Sequence, residues 1–272
     1  MSTSLSGASA GLAGLPDALR AEWVKLRTVS GSAWLLTGLI VLTVAISATA
    51  VAATRCPAGQ SCLVDTTRLS LIGVEFGQAV VAILAVLPVC NEYSTGMIRV
   101  TLAAMPRRAA VLTAKAGIIG GLVLVAGAIA VLGALLAGRL ILPGNGFTAV
   151  HGFPLLSLGE GPTLRAAAGS VLYLGLIALL SIGIAAMVRD SAVTIGAVLG
   201  LLYLFPVIAA FVGNPVWHNR LERYTPMAGL NIQATADLRS LPITPWAGLG
   251  ILALWAVAAL VGGALSLRLR DA

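Results

Sequence analysis

Residues 33–53 form a run of 21 residues without one charged side chain. At about 1.5 Å of rise per residue, a helix of that length spans about 31 Å, the thickness of the hydrocarbon core of a bilayer. Five further mostly apolar runs follow, at 71–90, 110–142, 164–188, 191–212 and 246–267. Charged residues make up only 10% of the 272 positions, against about 25% in soluble domains. The fold class read from this pattern is an all-α integral membrane protein with six transmembrane helices. Spans and short loops use up the length, so function is expected in the bundle or on its loops.

The segments between the spans carry their own signals. Residues 1–15 are small, polar and Gly-rich and read as a disordered tail. They lack a basic stretch leading into a short apolar core and do not read as a signal peptide. From 16 to 28, Leu19, Trp23 and Leu26 fall at i, i+4 and i+7 among Arg20, Lys25 and Arg27. That spacing predicts an amphipathic helix lying in the membrane interface; the plainer alternative is a positively charged flank that sets topology. In the loop 54–70, Pro57 and Gly59 favour a tight turn that brings Cys56 and Cys62 together. A disulfide is expected there if the loop is external, and two unpaired thiols otherwise. Cys90, on the other side, stays free.

Within the spans, Glu75 and Gln78 near the outer end of the second either line a path through the bundle or reach for the interface. Glycines in the third span and the Gly196-x-x-x-Gly200 spacing in the fifth are the small residues that let helices approach closely. Pro206 is expected to kink the fifth span. Residues 213–244 read as one or two short helices at, or dipping into, the outer leaflet.

The formal charge of +7 is spread over many loops rather than gathered on one face with aromatics, so nucleic acid is not an expected partner. Orientation in the bilayer is the better use of it. Six spans put both termini on one side; ten of the 17 basic residues fall on that side and seven on the other, over longer loops. Both termini are therefore expected in the cytoplasm.

Several chemistries lack their residues. Neither Lys25 nor Lys115 stands in a Gly-x-x-x-x-Gly-Lys-Ser/Thr loop, so ATP hydrolysis is not expected on this chain. No His-Glu-x-x-His or Gly-x-Ser-x-Gly pattern and no metal set is visible, and the two histidines are far apart. Most spans are free of ionisable residues at mid-depth, which disfavours a proton- or sodium-driven carrier.

One stretch stands out between the second and third spans. After Cys90 come Asn91, Glu92 and Tyr93, then a break at Gly96, then Met97, Ile98, Thr101, Leu102 and Met105 at helical spacing, then Pro106, Arg107 and Arg108. This predicts a short helix lying flat on the cytoplasmic surface. The alternative is a basic loop with no partner.

The same stretch, with its acidic-aromatic pair, Gly-x-Ile-Arg, Thr-Leu, a Pro-Arg-Arg turn and Lys115, resembles the bacterial permease subunits of the ABC type-2, exporter-type superfamily. The resemblance implies that residues 16–272 are one transmembrane permease domain of a plasma-membrane exporter. It implies a coupling helix here that docks on two copies of a cytosolic ATPase, which would carry the ATP and Mg; this chain would bind no cofactor. A second permease copy or a sister permease would complete the assembly. Carried over residue by residue, Glu92 and Tyr93 form the acidic-aromatic end of span two and Gly96 the break. Met97, Ile98, Leu102 and Met105 present the docking face, and Arg99, Arg107 and Arg108 hold the surface or pair with acidic ATPase residues. Met97 stands where many members have a small hydroxyl residue, and no residue identifies a substrate. Two readings from other classes compete: a membrane scaffold or sensor that anchors a cytosolic partner through this loop, and a secondary carrier.

Overall fold

The computed structural model describes residues 30–57, 62, 64–97, 108–148, 153, 156–211, 213–236, 238–239 and 241–270. The tail 1–15 and the expected interfacial helix 16–28 lie outside them. The described residues are helical, without strands. Six helices are long and apolar enough to cross a membrane, which makes this a multi-pass membrane protein.

In chain order, α1 is Ser30–Ala53, the short α2 is Thr66–Ser70, α3 is Gly73–Ser94 and α4 is Arg108–Ile141, extended by a 3₁₀ turn at Leu142–Asn145. Next come α5 at Gly161–Val188 and α6 at Ser191–Leu199, then a π-helical run at Gly200–Leu204 and α7 at Phe205–Phe211. The chain closes with α8 at Pro215–Tyr224, a 3₁₀ run at Pro226–Gln233 and α9 at Pro245–Arg270. One end of the bundle carries the start of α1 and the end of α9, and the other the disulfide. Trp34 lies near the first end, and Trp217 and Trp246 near the second, all more than half exposed, as aromatic side chains at two membrane interfaces would be.

Two of the hydroxyls that interrupt α1 are satisfied within it, and Ser47 Oγ instead accepts from Gly73 N of α3 at 3.1 Å. Thr37 Oγ1 donates to Ala33 O and Thr49 Oγ1 to Ala45 O, each at 2.9 Å, so an apolar surrounding costs them little. α4, at 34 residues, is about 51 Å long, so it must tilt or project beyond the hydrocarbon core.

The centre is α5, packed against α3, α4 and α9. Its Tyr173, Leu174, Ile177, Leu180 and Ile182 are wholly buried. Lipid tails are as apolar as leucine, so close backbone approach rather than water exclusion holds such helices together. Gly183 shows it: a Cβ there would lie 2.6 Å from the carbonyl oxygen of Ala259 and the nitrogen of Leu260 on α9. Gly196 and Gly200 are different. Nothing lies within 4 Å of where their Cβ atoms would stand, so their spacing makes no helix contact among the described residues.

The observed helices differ from the expected spans at several ends. The second begins at Gly73 rather than 71 and runs through Glu92 to Ser94, because the polar residues Asn91–Ser94 still make helical bonds. The fourth begins at Gly161 rather than 164, with Pro162 in its first turn where a missing amide costs nothing. The fifth is one continuous helical run whose middle, Gly200–Leu204, is π-helical. Pro206 cannot donate to the carbonyl of Leu202, and the widened π turns at Gly200–Leu204 make room ahead of its ring.

Candidate functional site

The 22 residues of α3 carry polar groups at both ends, in two separate arrangements. At the end that carries the start of α1 and the end of α9, Thr95 caps the helix with its N–H on Asn91 O, and Gly96 turns the chain away at φ 70°, in the left-handed region that favours glycine. Met97 follows, 46% exposed. Ile98, Arg99, Leu102, Met105 and Arg107 lie outside the described residues, and Arg108 is described only as the backbone start of α4.

Glu92 and Tyr93 turn inward from the last turn of α3. Lys115 Nζ donates to Glu92 Oε1 at 2.8 Å, and the two side chains are 5% and 6% exposed. The pair ties α3 to α4 where each charge would be costly alone. Tyr93 lies beneath the guanidinium of Arg189, with 4.9 Å from Cζ to the ring centroid. Arg189 ends α5 at φ 68°, its N–H on Ala185 O at 2.9 Å, while its Nη2 donates to Ser266 O on α9 at 3.2 Å. Asp190 starts α6 by accepting from Val193 N at 2.8 Å. The last turn of α3 is thus fastened to α4, to the α5–α6 turn and to α9.

At the other end, Glu75 and Gln78 share one face of α3. Tyr173 donates its hydroxyl to Gln78 Oε1, and Tyr203 donates to the carbonyl of Glu75 at 2.6 Å. Above them a cavity of about 370 Å³ opens among α2, α3, α7, α8 and the 3₁₀ run. Asp65 holds α2 to the segment that follows the 3₁₀ run. It caps α2 by accepting from Arg68 N at 3.0 Å and reaches across to Thr235 Oγ1 and Ala236 N, both at 2.8 Å. Burial pushes the Asp65 carboxyl up, and the hydrogen bonds from Ala236, Arg68 and Thr235 outweigh it, holding the group below its ordinary value. The sulfurs of Cys56 and Cys62 are bonded, with Cα atoms 6.0 Å apart, over a small apolar cluster of Val51, Leu142, Phe147 and Leu156. Cys90 is buried as a free thiol, 3.8 Å from Thr194 Oγ1.

Of the residues singled out in the sequence, the structure brings Glu92 and Tyr93 into one network and leaves Gly96 and Met97 exposed beside it. Arg189, Asp65, Tyr173 and Tyr203 were not foreseen as site residues. Asp65 had a local signal, an aspartate directly before Thr66 and Thr67 as at a helix start. The tyrosines had only the weak one of a hydroxyl inside an apolar run. Among the described residues, no three His, Cys, Asp or Glu gather as a metal set. No protein-family model matches this chain, and no curated protein matches it.

Proposed function

We propose that this chain is the membrane-spanning permease subunit of an ATP-driven exporter of the ABC type-2 kind, working with a separate cytosolic ATPase. The observation that carries the reading is the fastening of the last turn of α3 to three neighbours, through Glu92–Lys115 and Tyr93–Arg189–Ser266, directly before the break at Gly96. A push on the segment that follows would reach α4, the α5–α6 turn and α9 together. A bundle with two packings, biased by the ATPase, needs such a connection.

In this reading the termini and residues 92–108 face the cytoplasm of a bacterial plasma membrane, and the disulfide faces outward, where oxidising conditions sustain it. Glu92 and Tyr93 position the coupling segment, while Met97, Ile98, Leu102 and Met105 touch the ATPase. The small-residue face at Gly196 of α6 and Gly200 of the π-helical run, uncovered by the described residues, suits close packing with a second permease. The substrate stays open.

The test is to purify the tagged chain from its own membranes in mild detergent, identify what accompanies it by mass spectrometry, and assay ATP hydrolysis. A Walker-motif ATPase that co-purifies and is lost with Arg99→Glu is the expected result. An ATPase-free chain would move the reading to a scaffold or carrier.

A further inference from the structure

The cavity at the disulfide end has the volume of a small-molecule site, about 370 Å³, at the small end of the roughly 300–1,000 Å³ usual for such pockets. Its apolar walls include Phe205, Met227 and Leu230, and its charged groups are Arg68, Glu75 and Glu222. Glu222 has a partner, with His218 Nε2 at 3.4 Å. Glu75 has none of that kind. Its carboxylate makes no hydrogen bond or ion pair among the described residues, and Arg68 acts on it only through space.

A carboxylate in the first turn of a membrane span is costly unless it faces water or a counter-charge. Of the two lining carboxylates Glu222 is already engaged by His218, which leaves Glu75 as the one that a ligand's charge would meet. An anion would meet Arg68 but also both carboxylates, and a neutral apolar ligand would cover Glu75 without compensating it. Phe205 and Met227 line the same cavity, an aromatic ring and a polarizable thioether of the kinds that suit a diffuse cation.

We propose that this cavity binds an amphiphilic monocation, an onium ion or bulky protonated amine, with its charge beside Glu75 and its apolar body against Phe205, Met227 and Leu230. The site belongs to this chain alone and does not rest on the exporter reading.

The experiment compares tetraphenylphosphonium with tetraphenylborate, ions of like shape and opposite charge, on the full chain in nanodiscs, with empty nanodiscs subtracted. Saturable binding of the cation at one per chain, with no saturable binding of the anion, is expected. Glu75→Gln should weaken cation binding at least tenfold, and Leu230→Trp, which fills the cavity, should abolish it. Equal binding of the two ions to the unaltered chain would overturn the proposal without any variant having to fold. So would unchanged cation affinity in a folded Glu75→Gln. Failure here while an ATPase still co-purifies would reject the site and leave the exporter reading standing.

Discussion

The ammonium of Lys115 lies 2.8 Å from the carboxylate of Glu92, and the pair is almost entirely withdrawn from the surface at the end of α3 where the chain leaves the bundle. Removing one member would take from the other its buried counter-charge at 2.8 Å. Lys115→Met is therefore expected to destabilise by about 3–5 kcal/mol. The double variant Glu92→Gln, Lys115→Met should recover more than half of that loss. Thermal unfolding of the four proteins of this cycle in one detergent measures it, and additive losses would mean that the pair is not coupled.

Asp65 joins α2 to the segment after the 3₁₀ run, and its hydrogen bonds hold its pKa below the ordinary 3.8. A carboxylate with a depressed folded pKa contributes stability that is full above its unfolded pKa and is lost as pH falls through the folded one. Asp65→Asn should cost about 1–3 kcal/mol at neutral pH. The gap between the two proteins should stay constant above about pH 5 and close below about pH 4. A gap that widens on acidification would contradict this assignment.

The bridge between Cys56 and Cys62 closes a short loop over the Phe147 cluster. Its reduction is expected to cost about 2 kcal/mol, as the chain entropy of a small loop implies. Maleimide should label these two cysteines only after dithiothreitol treatment. Buried Cys90 should stay unlabelled until the chain is denatured. Two thiols that react without reductant would show that the bridge is absent.

The two kinds of glycine in this bundle should respond oppositely to enlargement. Gly183→Leu drives a side chain into the backbone of α9, at a cost of at least about 1–3 kcal/mol. Gly196→Leu meets open space and should leave the melting temperature of the single chain unchanged. If α6 seats a second permease, that variant lowers the oligomeric mass instead. Size-exclusion chromatography with light scattering on both variants separates these effects.

Six spans were legible in the sequence because a bilayer demands both length and apolarity, and both can be counted along a chain. The break at Gly96 was legible too, as was the two-residue gap between the runs 164–188 and 191–212, since helix ends announce themselves through residues that cap or cannot continue. The Gly196-x-x-x-Gly200 spacing did not say which neighbour it would meet, and it meets none among the described residues. Such spacing says which residues share a face, and nothing about whether that face meets a neighbour. The widened turns before Pro206 escaped notice because a proline can be accommodated by a kink or by π turns, and its surroundings choose.

What the sequence determined by itself is therefore the class of the molecule: six apolar helices, their approximate ends, and a polar break after the second. Only the tertiary structure decided that Glu92 turns to Lys115, that Tyr93 lies under an arginine whose hand rests on a carbonyl 77 positions further on, and that Glu75 looks into a cavity. The physical reason is that hydropathy and helical period are properties of neighbours along the chain. Which buried charge finds which partner depends on the rotation of each helix about its axis, and the packing of the whole bundle sets that rotation.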